Sequence, residues 1–155
     1  MRRRRAEKRK PIPDPKFGSE IVGKFINIVM LHGKRSVAEK IVYECLDQLQ
    51  AKLKEDPLKI FFEALDNARP RIEVRSRRIG GATYQIPMEV TKEKGFNTAM
   101  CWIRDMARKK KGKPMSQKLA EEFISAYRKE GAVIKKRDDT HKMAEANMAF
   151  AHFKI

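Results

Sequence analysis

Apolar residues recur at spacings of three and four along most of the chain, which is the period of an amphipathic helix. The first such run begins after Ser19, a residue type that caps helices, and continues through Leu31. The turn Gly33-Lys34-Arg35 follows, and its glycine is a typical helix stop. The second run begins at Ser36-Val37-Ala38-Glu39, which has the spacing of a capping box. The pattern therefore predicts two helices joined by a short basic turn.

Three further helices are predicted from the same kind of signal. Asp56 and Pro57 form a cap followed by proline at the first helical position, and Pro70 ends that third helix. Thr91 is placed to cap a fourth helix, and Ser116 is placed to open a fifth. The apolar residues after each start keep the helical spacing, so we expect these helices to pack their apolar faces into one core.

The last helix is predicted from charge as well as from apolar spacing. Lys135-Lys136-Arg137 has the composition of a basic linker, and Asp138 and Asp139 follow it. Acidic residues favour the N-terminus of a helix, because the helix dipole is positive there. The residues that then lie along one side of this sixth helix are Met143, Ala146, Asn147 and Phe150. We therefore place a linker before Asp138 and a helix after it.

Residues 71–90 have a different period, since apolar and polar residues alternate there on both sides of Gly80-Gly81. This arrangement is a β-hairpin signal. A two-stranded ribbon alone is only marginally stable in water, so we expect it to project from the body and to complete its ordering on a partner. The fold class is therefore mainly α: a bundle of about six helices with a protruding β-hairpin inserted between the third and fourth helices.

Charge sets this chain apart from an ordinary helical bundle. Its formal net charge is +16, from 36 basic and 20 acidic residues. Such an excess favours nucleic acid or an anionic membrane surface as partner. No apolar run approaches the roughly 20 residues of a membrane span, so we expect no membrane partner. We expect residues 1–16 to form a basic tail and residues 17–155 a single helical domain, in a cytosolic compartment that keeps Cys45 and Cys101 reduced.

No group of residues in the sequence suggests catalysis, a cofactor or a metal. The three histidines share no ligand spacing with the two cysteines. Gly33-Lys34 is not a phosphate loop, because Lys34 is followed by arginine rather than by serine or threonine. We therefore expect a binding protein rather than an enzyme. An RNA-modifying or RNA-cleaving enzyme is the alternative that a convergent acid–base set would support.

Basic clusters lie in the tail, at residues 33–35, in the hairpin, at residues 108–113 and at residues 135–137. The hairpin region holds five arginines between Arg69 and Arg78 against one acid, Glu73. Guanidinium groups match phosphate geometry, and dispersed patches with a tail suit a folded RNA better than a DNA groove. Two other hypotheses stay open: an architectural DNA-binding protein that inserts Ile79 between bases, and a solvated hairpin whose arginines only protect its edges.

Three separated blocks of the sequence carry a resemblance to a known family. They are residues 1–7, the block from Pro57 through the hairpin to Val90, and residues 143–152. Together they resemble the family of ribosomal protein seven of the small subunit, in its bacterial form, from end to end. The resemblance implies a cytoplasmic ribosomal protein, of a bacterium or an organelle-encoded equivalent. It implies a structural role, in which the protein binds the 3′ major (head) domain of small-subunit ribosomal RNA and nucleates head assembly.

The resemblance also implies partners and contact residues. The hairpin would lie by the exit-site tRNA and the mRNA exit path, and ribosomal proteins nine and eleven of the small subunit would be neighbours. Some bacterial members also repress their own operon's messenger. The candidate rRNA-binding residues are Arg2, Arg3, Arg4, Arg5, Lys8, Arg9, Lys10, Lys34, Arg35, Arg75, Arg77, Arg78, Lys136, Lys142 and Asn147. The candidate residues near tRNA and mRNA are Ile79, Gly80, Gly81 and Ala82 at the hairpin tip.

Several positions depart from the family pattern. Glu93 and Lys94 stand where many members carry an arginine pair. Cys101 and Met148 stand where the family is often basic, and the chain ends in Ile155 rather than in tryptophan. We therefore expect no RNA contact at Glu93, and we assign no stacking role to the last residue.

Overall fold

Helices dominate the structure, a computed structural model that describes residue 6 and residues 12–153. These residues form six α-helices, a two-stranded antiparallel ribbon and a short 3₁₀ helix, which confirms the predicted fold class. In chain order the elements are α1 (Glu20–Val29), α2 (Arg35–Leu53), α3 (Pro57–Ala68), β1 (Ile72–Ile79), β2 (Ala82–Glu89), α4 (Lys92–Lys109), α5 (Met115–Tyr127), α6 (Ala132–Ala146) and the 3₁₀ helix (Met148–Phe153). None of these helices combines the length and apolar character that crossing a membrane requires.

Three phenylalanine rings lie at the centre of the bundle. Phe25 of α1, Phe61 of α3 and Phe123 of α5 are each 0% exposed. Their ring centroids lie 5.6 Å apart for Phe25 and Phe61, 5.4 Å for Phe25 and Phe123, and 5.1 Å for Phe61 and Phe123. Aromatic pairs at such distances add about 0.5–1.5 kcal/mol each to the effect of area burial. The cluster therefore joins three helices that are far apart in sequence.

Two of the predicted helix starts are confirmed together with their hydrogen bonds. The Ser19 hydroxyl accepts from the backbone N–H of Val22 at 3.5 Å and caps α1. The Asp56 carboxylate accepts from the backbone N–H of Leu58 at 3.1 Å, with proline in the next position. Helix α3 ends at Ala68, ahead of the proline predicted to stop it. These boundaries are local in origin, because the capping side chain lies within three residues of its partner.

Helix α1 ends two residues earlier than predicted, at Val29, and Gly33 is not its cap. Gly33 instead lies in the following turn with φ +73°. The helix end is satisfied from α4, where Arg104 donates to the carbonyl oxygen of Ile28 and Arg108 to that of Val29, both at 3.3 Å. Because these guanidinium groups take the last carbonyls, which have no partner within the helix, no glycine cap is needed.

The capping box predicted for α2 is wrong. The helix already begins at Arg35, so Ser36 lies inside the first turn, and Lys34 holds the cap position without a side-chain hydrogen bond. The carboxylate of Glu39 instead accepts from Nε of Arg35 at 2.8 Å. Glu39 therefore pairs with a full positive charge along the helix instead of with the backbone N–H that a capping box would use.

The starts of α4 and α5 also differ in detail from the prediction. Thr91 holds the cap position of α4, but its side chain makes no capping hydrogen bond. Helix α5 begins at Met115 and not after Ser116, which is buried in the first turn. Pro114 takes the cap position, and its missing N–H leaves no donor to satisfy there.

The predicted basic linker is wrong, because residues 135–137 lie inside α6. The helix begins after Gly131, whose φ of +93° suits glycine, and Val133 and Ile134 are buried at its start. Packing of these two side chains begins the helix before the acidic residues, and the charged run that follows does not interrupt it. Helix α6 ends at Ala146, and the chain continues through Phe150 as a 3₁₀ helix rather than as the predicted α-helix.

The segment before α1 is fixed to the body through Asp14, which is only 1% exposed. One carboxylate oxygen accepts the backbone N–H groups of Lys16 and Phe17, at 3.1 and 2.8 Å. The other accepts the hydroxyl of Tyr43 at 2.5 Å. Burial and this hydrogen bond raise the pKa of Tyr43 to about 12, so the hydroxyl remains a donor at neutral pH. The chain therefore leaves the body at a defined place.

Gly23 of α1 allows this segment to lie close to the helix, and its replacement by alanine is a test of that contact. A Cβ atom added at Gly23 would lie 2.5 Å from the carbonyl oxygen of Ile12. Alanine for glycine ordinarily stabilises a helix by about 0.5–1 kcal/mol, but here the backbone oxygen must move and lift the segment. We expect Gly23→Ala to lower the free energy of unfolding by about 1–2 kcal/mol in a urea titration.

The matched control is Asn27→Ala, at an exposed position of the same helix. This change gains helix propensity without a steric conflict, so we expect it to leave the free energy of unfolding unchanged or slightly higher. A Gly23→Ala variant more stable than the wild-type protein would contradict the close approach of Ile12.

Candidate nucleic-acid interface

The hairpin is a regular antiparallel ribbon closed by a two-residue turn. Its strands pair from Ile72 opposite Glu89 to Ile79 opposite Ala82. Gly80 and Gly81 have φ of +58° and +90°, as the favoured hairpin turns require at both central positions. Residues 80–82 are exposed and carry no large side chain. The ribbon therefore ends in a narrow tip that can approach another backbone closely.

The ribbon packs on the C-terminal part of the chain from its base as far as Tyr84 of β2. Ile86 and its neighbour Pro87 are buried, and the rings of Tyr84 and Phe150 lie 5.4 Å apart between centroids. The backbone N–H of Arg71 donates to Nε2 of His141 on α6 at 3.0 Å. The body itself therefore orders much of the ribbon and sets its direction, and the completion of its ordering on a partner stays a prediction.

The ribbon arginines lie on both faces of the strand pair. Residues directly opposite each other share a face, and Arg75 is paired with Ile86 and Arg77 with Tyr84. Arg78 is paired with Thr83 on the other face. All three arginines are exposed. The ribbon thus presents cations on two sides, which suits a ligand that surrounds the arm more than one that touches a single face.

Glu73, the one acid of β1, pairs with Arg75 of the ribbon and with Lys94 of α4. Its Oε1 accepts from Nε of Arg75 at 2.9 Å and also from the ammonium group of Lys94 on α4. Partial burial alone would raise the pKa of Glu73, but the hydrogen bonds from Lys94 and Arg75 outweigh it and hold the pKa below its ordinary value. The carboxylate therefore stays ionised and links the ribbon to α4.

The basic turn between α1 and α2 presents one exposed lysine. Lys34 is exposed at the cap position of α2. Arg35 is half-buried and paired with Glu39, as described above. Of these two predicted RNA contacts, Lys34 is the one that the structure leaves at the surface.

The candidate residues of α6 have different environments. The Nζ atom of Lys136 lies 5.0 Å from the ring centroid of Trp102, so the cation is held over an aromatic face. Lys142 is exposed. The Asn147 amide donates to the carbonyl oxygen of Met143 at 2.7 Å and satisfies the end of α6. Asn147 therefore has a structural role, and its amide oxygen and second N–H are the groups that could meet a ligand.

The predicted tail contacts lie outside the described residues. They are Arg2, Arg3, Arg4, Arg5, Lys8, Arg9 and Lys10. The last two residues, Lys154 and Ile155, lie outside them as well. What the structure adds is the anchor at Asp14, which fixes where the last residues of the tail meet the body.

Several cations that the sequence placed among binding candidates hold the fold together instead. In the predicted basic loop, Lys110 reaches the buried carboxylate of Glu122 at 2.7 Å, and Lys113 pairs with Glu121. Burial would lower the pKa of Lys110, but these carboxylates raise it above its ordinary value. The two acids in the middle of α5, Glu121 and Glu122, were the available sequence signal for these pairs. Lys109 and Lys111 of this loop are exposed.

Arg137 is a further structural cation that sequence reasoning assigned to a linker. Its Nη1 donates to the carbonyl oxygen of Asn67 at 2.5 Å. The Asn67 amide in turn donates to the carbonyl oxygens of Ala126 and Tyr127, both at 3.2 Å. These bonds join the ends of α3 and α5 to α6, and no local sequence signal identifies them, because the partners lie about 60 and 70 residues apart.

Two of the positions that depart from the family pattern, Glu93 and Lys94, form ion pairs within the body. Glu93 accepts from the ammonium group of Lys24 on α1 at 3.1 Å. Lys94 pairs with Glu73, so both residues connect α4 to other elements. The carboxylate of Glu93 would repel phosphate groups, and the lack of an RNA contact at this position stays a prediction.

The two thiols differ in environment. Cys45 is buried, and burial raises the pKa of its thiol far above the ordinary range, so it stays protonated. Cys101 is half-buried on α4. Within residues 12–153 and residue 6, no three histidine, cysteine or carboxylate side chains are grouped as a metal site would need.

Comparison with known proteins shows a match over almost the whole chain. The family model of "Ribosomal protein S7p/S5e" matches residues 1–148. The chain is 55% identical over 154 residues to small ribosomal subunit protein uS7 of Thermotoga maritima, covering 99% of both chains. It is 54% identical to the protein of the same name from Fervidobacterium nodosum, covering 99% of both, and 54% identical to that of Anaeromyxobacter dehalogenans, covering 99% of this chain and 98% of the relative.

His141 makes the docking of the ribbon base sensitive to pH. Burial lowers the pKa of His141, and the nearby Arg137 and Arg71 lower it further, against Asp138 and Glu145. In the unfolded chain the imidazole takes up a proton near pH 6.5, whereas in the folded chain Nε2 is an acceptor. The folded state thus binds fewer protons, and we expect the free energy of unfolding to fall as the pH drops below about 6.5.

Urea titrations at a series of pH values measure this dependence. In His141→Gln the component due to the imidazole is absent, so its stability should change less over the same range. His152→Gln, at an exposed histidine, is the matched control and should retain the wild-type dependence. An unchanged pH dependence in His141→Gln would show that the contact with Arg71 does not titrate as described.

Proposed function

The chain belongs to the ribosomal protein S7p/S5e family, and on that premise we propose that it binds the 3′ major (head) domain of small-subunit ribosomal RNA and nucleates assembly of the head. As a member of this family it is a structural, non-enzymatic protein of the small ribosomal subunit. Its partners are ribosomal RNA and the ribosome, and its location is the ribosome in the cytoplasm.

The observation that carries the proposal is where the exposed cations lie. Arg77 and Arg78 lie along the ribbon, Lys34 lies at the α1–α2 turn and Lys142 lies on α6. These places are separated on the body and the arm, and none of them forms a row along a single helix. Separated cationic contacts suit an irregularly folded RNA, whose backbone passes several parts of a protein surface. A duplex DNA groove would instead require one element that follows the groove.

We assign the contacts as follows. The rRNA-binding residues are the exposed Lys34, Arg75, Arg77, Arg78 and Lys142, the partly buried Arg35, Lys136 and Asn147, and the tail residues Arg2, Arg3, Arg4, Arg5, Lys8, Arg9 and Lys10. In this assignment residues 1–16 are the basic tail, whose last residues from Ile12 onward already lie on the body, and residues 17–155 are one helical domain. Lysine and arginine contribute through the counterions that RNA releases on binding, so affinity falls as salt rises.

We also assign the ribbon tip to the neighbourhood of the exit-site tRNA and the mRNA exit path. Gly80 and Gly81 place backbone at the surface without side chains, which lets a sugar–phosphate backbone come close. Ribosomal proteins nine and eleven of the small subunit are the proposed protein neighbours, the latter by the ribbon. The packing of the ribbon base on α6 and the 3₁₀ helix supports this role, because an arm of fixed direction can reach a fixed neighbour.

Competition binding tests the proposed RNA target. The labelled ligand is a transcript of the 3′ major domain, and the competitors are an unrelated folded RNA and duplex DNA, each across a salt series. We expect the transcript to be preferred at moderate salt, because shape-specific contacts persist when the non-specific electrostatic contribution weakens. Equal competition by all three nucleic acids, lost together as salt rises, would mean that charge alone drives binding and would overturn the head-domain assignment.

The ribbon arginines should contribute to affinity without stabilising the body. We expect the triple variant Arg75→Ala, Arg77→Ala and Arg78→Ala to bind the transcript about tenfold or more weakly. The slope of log affinity against log salt should become shallower by about 2–3, one unit for each lost phosphate contact. Helical circular dichroism should be retained, because all three side chains are exposed.

The matched control removes the same number of charges elsewhere. Lys40, Lys52 and Lys59 are exposed on α2 and α3 and belong to no proposed contact. Their joint replacement by alanine should leave the affinity for the transcript close to that of the wild-type protein. If both triple variants lose the same affinity, the ribbon has no special role and net charge accounts for the effect.

A further inference from the structure

The last residues of the basic tail, residues 12–16, are called the root of the tail and are held on the body by a buried carboxylate. Asp14 is 1% exposed, whereas its neighbour Ile12 is 71% exposed. The core cluster consists of apolar side chains, so this carboxylate adds nothing to it. Burying a polar group is costly unless it is hydrogen-bonded. The packing of the core alone therefore does not explain a carboxylate at this position.

Hydrogen bonds give this anchor a direction. The carboxylate of Asp14 accepts from the backbone N–H groups of Lys16 and Phe17, which closes a tight turn within the segment. The backbone N–H of Gly18 donates to the carbonyl oxygen of Asp14 at 2.8 Å and closes the same turn. The hydroxyl of Tyr43, on α2, joins that turn to the body. Because hydrogen bonds depend on angle as well as distance, they fix the orientation of the root and not only its position.

Lys16 makes a second link to α2. Its ammonium group pairs with Asp47 at 3.2 Å and lies 5.2 Å from the ring centroid of Tyr43. The root also lies on α1, where Gly23 leaves room for the carbonyl oxygen of Ile12. Contacts from two helices therefore hold the root.

Two prolines restrict rotation on each side of the anchor. Pro13 and Pro15 flank Asp14, and a proline ring holds φ near about −65°. The chain between Arg5 and Ile12 spans at most about 25 Å even when fully extended. The direction of the root thus limits where the arginines of the tail can meet a phosphate.

We propose that Tyr43 is a positioning residue for RNA binding, because its bond to Asp14 fixes the direction in which the basic tail leaves the body. The tail meets the RNA, and Tyr43 acts through the root. A tail with a fixed root reaches its contact at a higher effective concentration than one whose root is released from the body. The inference rests on the tail contacts of the proposed function, and Tyr43 and Asp14 lie outside the assigned RNA contacts.

The affinity test compares Tyr43→Phe with the control Tyr127→Phe. Tyr43→Phe removes the hydroxyl and keeps the ring, which packs against Phe17 at 6.1 Å between centroids. The hydroxyl of Tyr127 also donates to a carboxylate, that of Glu55 at 3.3 Å, but Tyr127 lies on α5. We expect affinity for the 3′ major-domain transcript to fall about threefold to tenfold in Tyr43→Phe and to stay at the wild-type value in Tyr127→Phe.

A double-mutant cycle shows whether this loss acts through the tail. The second change, the tail-neutral variant, replaces with alanine the tail cations Arg2, Arg3, Arg4, Arg5, Lys8, Arg9 and Lys10. We expect Tyr43→Phe to lose its effect on affinity in the tail-neutral variant, because no cation is left to position. A purely structural role of Tyr43 predicts the same loss in both backgrounds.

Trypsin measures the release of the root in the absence of RNA. Cleavage after Lys16 requires the turn to open, because Asp14 accepts from the backbone on both sides of that peptide bond. We expect the fragment that begins at Phe17 to form about threefold faster, or more, in Tyr43→Phe than in the wild-type protein. Tyr127→Phe should be cut there at the wild-type rate.

Gly23→Ala tests the same root from α1, and it provides an independent variant if Tyr43→Phe does not fold. Its Cβ atom displaces the carbonyl oxygen of Ile12, as described above. We expect weaker binding of the transcript here too, and no such loss in the tail-neutral background. Circular dichroism checks that each variant is folded.

Several outcomes would overturn the positioning role. They are wild-type affinity in the folded Tyr43→Phe and Gly23→Ala variants, and an equal loss of affinity with and without the tail cations. Wild-type affinity in the tail-neutral variant would remove the tail contacts as well as the positioning role. The competition experiment with the wild-type protein tests the head-domain assignment separately, so failure of that assignment is distinguishable from failure of this inference.

Discussion

The packing of three buried phenylalanine rings is the contact on which the rest of this structure depends. Phe25, Phe61 and Phe123 bring together helices that are separated along the chain, and each of these helices carries a surface feature with it. Helix α1 receives the segment that follows the basic tail, and α3 leads directly into the ribbon. A cavity at this point would disturb all three helices at once. The positions of the surface features on these helices therefore depend on the packing of the core.

Some cations of this protein stabilise the fold, and others are exposed at its surface. Arg104, Arg108 and Arg137 donate to backbone carbonyls at or near the ends of α1 and α3, where a helix has acceptors without partners. Lys110 neutralises a buried carboxylate. The exposed cations, such as Arg78 and Lys142, belong to the ribbon and to α6. A net charge of +16 therefore overstates the number of cations that serve binding, since part of it holds the helices together.

The sequence by itself determined the six helices, the ribbon and its turn, because these depend on nearby residues. The helical spacing, Pro57 after Asp56 and Gly80-Gly81 between alternating runs act over a few positions. The capping box at Ser36 and the linker before Asp138 failed, since Glu39 bonds to Arg35 and since burial of Val133 and Ile134 starts α6 early. Only the tertiary structure decided which cations support the fold, because their partners, such as Ile28 for Arg104 and Glu73 for Lys94, are distant in sequence and meet only after the helices pack.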